Sequence, residues 1–268
     1  MTRHNINLSG RLNGQPMLFA HGFGCDQHMW RYVAPRFEDE FRVVLFDHVE
    51  AGHSDLSAYD PQRYSSLAGY AEDVVAICTG LGLCDVIFVG HSVSAMIGVL
   101  AAAVAPELFA KLVLVGPSPC YLNDADYVGG FSVEDINDLL ESLESNYLGW
   151  SSVMAPVIMG RPDRPELGYE LTESFCRTDP AIARQFARVT FLSDNRDDLP
   201  TVATPTLVVQ CANDVIAPVS VGEFVRDRMP NASMVLLNAT GHCPNLSAPD
   251  ETAAAIEQFA RGSTPALR

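Results

Sequence analysis

Ser92 lies in the string Val86-Ile87-Phe88-Val89-Gly90-His91-Ser92-Val93-Ser94-Ala95. An apolar β-rich run leads into G-x-S-x-S, and an apolar small-residue helix follows. This layout suits a strand-to-helix turn so tight that the residues flanking the serine must be small. Gly90 and Ser94 meet that need, although glycine is commoner at the second place. Such a turn exposes the Ser92 hydroxyl at the strand's end; the bland alternative is a serine capping an ordinary strand–helix junction. A serine hydroxyl is a weak nucleophile without a base. Of the seven histidines (His4, His21, His28, His48, His53, His91 and His242), His242 follows a late strand and the turn Asn238-Ala239-Thr240-Gly241. It is the candidate base. Asp214 ends the string Thr206-Leu-Val-Val-Gln-Cys-Ala-Asn-Asp and is the candidate carboxylate that fixes the base's tautomer. The preceding strand is followed by no acid before Asp124. His91 adjoins the nucleophile and reads as structural. The second Gly-His-Ser, at Gly52-His53-Ser54, has no apolar helix after it.

Acyl transfer also needs two backbone donors for a developing oxyanion. Val93 N–H, next after the nucleophile, is one candidate. Phe23 N–H, in His21-Gly22-Phe23-Gly24 after the first apolar strand, is the other. The glycines let the backbone approach a substrate, His21 anchors the loop, and the Phe23 ring floors a pocket.

These groups need a sheet edge to hold them. Short apolar runs at 17–20, 41–46, 86–89, 112–115, 206–210 and 234–237 suit strands covered on both faces. Helical segments at 67–81, 94–105 (stopped by Pro106) and 249–260 lie between or after them, the last with Ser247 as its expected cap. The alternation predicts a mostly parallel central sheet with helices on both faces. It fails between about 119 and 199, where four amphipathic helices are expected. Ser132 caps the first, with Val133, Ile136, Leu139, Leu140, Leu143 and Tyr147 on one face. Trp150, Val153, Met154, Val157 and Ile158 form the second stripe, which Pro156 bends. Leu167, Leu171 and Phe175 form the third. Asp179-Pro180 starts the fourth, with Ile182, Phe186 and Val189. The expected organisation is therefore a core of residues 1–118 and 200–268 with a helical cap of 119–199 inserted in it. The cap stripes either pack on one another or enclose an apolar pocket over the sheet edge.

Composition narrows the function. Hydrophobic residues make up 48% and charged residues 19%, enough for a large core. The net charge of −16 repels phosphate backbones and argues against nucleic acid. No apolar run approaches a bilayer span, and MTRHNINLSG has no signal-peptide core. Seven dispersed cysteines without C-x-x-C spacing read as reduced thiols in a cytoplasm, with neither disulfides nor a metal site.

The strand–Gly-x-Ser–helix turn, His21-Gly22 and the order Ser92, Asp214, His242 resemble the α/β-hydrolase superfamily. GHSVSAMIG (90–98) and YLNDADYVGGF (121–131) are similar to the karrikin and strigolactone receptor hydrolases. HGFGCDQ (21–27), GHSD (52–55), GPSPCYLND (116–124), IARQFA (182–187) and GHCP (241–244) resemble bacterial RsbQ-like stress regulators still more. The resemblance implies an α/β-hydrolase fold with a four-helix cap, no cofactor, and a sensing role through a PAS-domain phosphatase of the RsbP type. It also implies a pocket lined by Phe23, Val93, Tyr121, Phe131, Leu139, Trp150, Met154 and Phe191. So apolar a lining, with no Arg or Lys, suits a small hydrophobic ligand that is a neutral ester, lactone or enol ether. Two departures stand out: Ser94, shared with the plant receptors where RsbQ has glycine, and Glu50, where glycine is usual in the loop 47–52. Three readings remain at this point: a slow hydrolase that senses and signals, a purely metabolic carboxylesterase, and a non-hydrolytic relative such as a cofactor-free haloperoxidase.

Overall fold

The computed structural model describes residues 3–49 and 51–262; Glu50 falls outside them. Among the described residues seven strands form one sheet: β1 (Asn7–Gly10), β2 (Pro16–Ala20), β3 (Arg42–Leu45), β4 (Val86–His91), β5 (Phe109–Val115), β6 (Thr206–Asn213) and β7 (Ala232–Thr240). Their spatial order is β1-β3-β2-β4-β5-β6-β7. All neighbours are parallel except β1, which runs antiparallel to β3 at the edge. β1 carries no apolar run and every residue of it is exposed, which is why hydrophobic patterning gives no sign of it.

Strand residues alternate between two buried layers. Met17, Phe19, Ile87, Val89, Val113 and Val115 face one side, where α9 (Pro249–Ala260) and the 3-10 turns of residues 27–37 pack. Leu18, Ala20, Phe88, Leu112 and Leu114 face the other, covered by α1 (Leu67–Gly80), α2 (Val93–Val104) and α7 (Val219–Arg228). Burial of each such Val, Leu, Ile, Phe or Met side chain stabilises the fold by roughly 1.5–3 kcal/mol before entropy is counted. Because both faces are covered, the strands read as continuous apolar runs. A short α8 (Pro244–Ser247) precedes α9. Ser247 does not cap α9. It is spent as the last residue of α8, the cap position falls to Ala248, and the Ser247 carbonyl instead accepts from Arg161 Nη1 at 3.2 Å.

Between β5 and β6 the chain leaves the sheet to build four helices: α3 (Val133–Ser145), α4 (Tyr147–Met159), α5 (Pro165–Arg177) and α6 (Pro180–Phe191). Ser132 caps α3 reciprocally with Asp135. Asn146 caps α4 by accepting from Gly149 N, so Tyr147 belongs to α4 and not to α3. Val133, in the first turn of α3, is exposed. The second stripe is rotated from its expected face: Val153 and Val157 are 67% and 47% exposed. The buried face is Tyr147, Trp150, Ser151, Ala155 and Ile158. Small side chains decide this. Gly168 of α5 lies against Pro156, so the two helices approach closely where Ser151 and Ala155 offer little bulk. Hydrophobicity alone does not reveal that preference.

Candidate active site

Four strand ends deliver the polar groups. Between β4 and α2, Ser92 takes φ 57° and ψ −123°, a conformation strained for any residue but glycine. A Cβ at Gly90 would collide with the Ser94 carbonyl, so the glycine is required by the tightness of the turn. Gly22 is required by proximity: a Cβ there would lie 3.3 Å from the Ser92 Cβ and closer still to the His91 ring.

Ser92 Oγ lies 2.7 Å from His242 Nε2, and His242 Nδ1 lies 2.7 Å from Asp214 Oδ2. The carboxylate can only accept, so Nδ1 carries the proton and Nε2 is free to take one from Ser92. The second oxygen of Asp214 accepts from Ile216 N and Ala217 N at 2.8 and 3.1 Å. Burial raises the Asp214 carboxyl, but the attraction of His242 and these donors outweigh it and leave it below the usual carboxylate value. The base is held by its own backbone as well. His242 N–H donates to the Ile158 carbonyl at the end of α4 (2.8 Å), and its carbonyl accepts from His91 Nε2 (2.7 Å). His91 is therefore a strut under the base. Burial lowers its imidazole to a pKa of about 3, so it stays neutral.

The loop after β2 turns sharply, with Cys25 N–H on the Gly22 carbonyl and Gly24 at φ 67°. His21 Nε2 accepts from His48 N at 3.0 Å, so its Nδ1 must hold the proton that it donates to the Gly22 carbonyl at 2.9 Å. Ser94 Oγ donates to the His21 carbonyl, which leaves His48 Nε2 to donate to Ser94 Oγ at 2.8 Å. The serine that departs from the commoner elbow glycine thus braces the loop. With the Gly22 carbonyl fixed, the planar peptide turns Phe23 N–H the opposite way. Among the described residues, neither Phe23 N–H nor Val93 N–H has an acceptor in the protein. His53, in the rival Gly-His-Ser, is exposed and takes no part.

Above Ser92 and His242 lies a cavity whose walls include Phe23, Tyr121, Trp150 and Phe191. Val93, Phe131, Leu139 and Met154 do not line it. The Val93 side chain turns into the layer beneath the sheet, Phe131 backs Tyr121 and Phe191 from behind, and Leu139 and Met154 pack half-buried on the cap's apolar layer. The walls that patterning did not assign to the pocket include Ile158, Leu171, Phe175, Thr190 and Ile216. Three of these lie on the recognised stripes. Ile216 follows the acid by two positions, a signal that was present in the sequence. Thr190 gave none. Phe23 is held by Trp150, Phe175, Phe186 and Phe191, with ring centroids 5.7–6.5 Å apart. Tyr121 is buried, and loss of solvent raises its hydroxyl, so it stays neutral in the same cavity wall as the nucleophile. No Lys, Arg, Asp or Glu lies among the described residues lining the cavity.

A buried Ser–His–Asp relay at the carboxyl edge of a parallel sheet, under a helical insertion, is the site of a serine hydrolase. The chain belongs to the α/β-hydrolase family: the model described as "Alpha/beta hydrolase family" matches residues 17–255. It is 41% identical to the Karrikin insensitive 2 receptor CA of Petunia hybrida over 248 residues, covering 92% of each chain. It is 41% identical to the strigolactone esterase D14 of Arabidopsis thaliana, covering 99% of this chain and 100% of that one. A hydrolase from Oleispira antarctica superposes with a TM-score of 0.95 at 40% identity, covering 98% of this chain and 96% of that one. No helix among the described residues is long and apolar enough to cross a membrane.

Proposed function

We propose that the protein hydrolyses a small, neutral, hydrophobic ester, lactone or enol ether through Ser92, and that it serves as an RsbQ-like sensor acting on a PAS-domain phosphatase of the RsbP type. The observation that carries the hydrolytic half is the unbroken relay from Asp214 through His242 to Ser92, opening into a cavity without a charged wall.

With an ester, Ser92 Oγ attacks the carbonyl carbon while its proton passes to His242 Nε2. Asp214 steadies the imidazolium that results. The carbonyl oxygen, now negative, takes hydrogen bonds from Phe23 N–H and Val93 N–H. His242 returns the proton to the leaving oxygen, and an acyl group remains on Ser92. Water then attacks, gives its proton to His242, and releases the acid and the free hydroxyl. The apolar walls exclude competing water and favour neutral substrates.

The sensing half rests on kinship with a protein named as a receptor and on how the cap is attached. Ser174 of α5 donates to the Gly24 carbonyl at 2.9 Å, and the end of α4 holds His242 N–H. Whatever occupies the cavity presses on both. A ligand shifts the cap only through its differential affinity for two arrangements. Hydrogen exchange over residues 131–192, with and without a hydrophobic ligand, tests this half. Unchanged exchange in the cap leaves a metabolic carboxylesterase. For the hydrolytic half, mass spectrometry of the protein after mixing with an activated ester should find the acyl group on Ser92. An adduct absent from both Ser92 and His242 removes the relay from the chemistry.

A further inference from the structure

Thr190 of α6 lines the cavity, is 2% exposed, and leaves its hydroxyl without a hydrogen-bond partner among the described residues. Helical threonines have an easy remedy, the carbonyl four residues back. Thr79, Thr172 and Thr252 each take it, donating to Val75, Gly168 and Ala248 at 2.8–2.9 Å. Thr190 forgoes it. Of the other polar groups of the cavity, Ser92 and His242 bond to each other and His91 Nε2 donates to the His242 carbonyl, while His91 Nδ1, left as an acceptor, is without a partner among the described residues and so does not take the Thr190 proton. The aromatic walls offer no strong acceptor. A buried hydroxyl left unmatched is unfavourable and rare in native proteins.

We propose that Thr190 is a specificity-determining residue. Its hydroxyl donates to an acceptor oxygen of the substrate other than the carbonyl under attack. The preferred substrate is then an oxygenated one, carrying an ether, ring or second carbonyl oxygen, and not a plain hydrocarbon ester. This inference rests on the hydrolytic reading of Ser92. A site built to hydrogen-bond one substrate oxygen discriminates against the analogue that lacks it, because the protein's own group is then stranded.

The test uses aryl esters in which one ether oxygen is moved along a six-atom acyl chain, compared with the all-carbon hexanoate. Each rate is normalised to the ester's own alkaline hydrolysis. At one oxygen position the wild type should show a KM roughly 10-fold below that for hexanoate. The isosteric Thr190→Val should bring that ratio close to one, and Thr190→Ser should restore it. Binding of the same intact esters to Ser92→Ala protein, read by tryptophan fluorescence, repeats the comparison without turnover. A Thr190-dependent preference in binding sustains the inference even if hydrolysis proves to be something else. A wild type indifferent to every oxygen position overturns it. So does a Thr190→Val protein that loses oxygenated and hydrocarbon esters in equal proportion, since a merely structural role predicts that result.

Discussion

At the sheet edge, each polar group stands at the end of a strand: Phe23 after β2, Ser92 after β4, Asp214 after β6, His242 after β7. In the cap, the pocket walls stand on helix faces. Strand ends are fixed by ladder register and by a closed set of backbone and side-chain hydrogen bonds, which have few alternatives. Helix faces are fixed by which apolar side chains win the inward position, and several rotations compete. The two regions also differ in what they bury. His4, His21, His48 and His91 are all buried in the core, and each is pushed below its ordinary pKa chiefly by loss of solvent. Residues 119–199 contain no histidine. The lesson is that chemistry here is held by polar satisfaction and the pocket's shape by apolar packing, and the two should fail in different ways.

The largest effect should come from the strand ends. Ser92→Ala removes one oxygen at a cavity wall, so the protein should stay folded while kcat on an activated ester falls by roughly 10⁶-fold. Full activity in the purified variant would break the assignment. Asp214→Asn should keep the geometry but reverse the proton pattern of His242, costing about 10⁴-fold. Asp194→Asn, Asp197→Asn and Asp198→Asn, beyond the end of α6, should remain within about twofold. If one of them proves essential and Asp214 does not, chain order has misled the assignment.

Acid should loosen the core through its histidines. His91 titrates near 3 when folded and near 6.5 when unfolded, so below pH 6.5 the unfolded chain takes up a proton that the folded one refuses. Its contribution is fully present above pH 6.5 and is lost as pH falls toward 3, by about 2 kcal/mol at pH 5. His21 and His48 act in the same direction. Denaturant unfolding at pH 7, 6 and 5 reads this directly, and a flat stability over that range would contradict it. The smallest effect tests the cap. Val153→Ser, on the outward face of α4, should change stability by less than about 0.5 kcal/mol. A loss of several kcal/mol would put Val153 back on the inward face.

How far the sequence could be read follows the same division. Ser92, Asp214 and His242 were legible because parallel strands announce themselves by apolar runs and each group follows one. Phe23 was legible because glycines flank it. β1 was not, since an exposed antiparallel edge strand needs no apolar pattern. The role of His48 was not legible either, because its partners, His21 and Ser94, come from two other strand ends and meet only in the fold. Four cap helices could be counted from their caps and stripes. The face of α4 could not, because Ser151 and Ala155 are buried for being small, while two valines beside them remain in solvent.

The backbone at Ser92 carries a further consequence. A φ of 57° with ψ near −123° is glycine's territory, and holding a side chain there costs on the order of 1–3 kcal/mol. The nucleophile therefore stands where the fold by itself would favour a residue with no side chain at all. Replacement by glycine should relax the turn and leave a sturdier protein with no chemistry. That would make the position one where selection for a reactive hydroxyl has prevailed over thermodynamic durability.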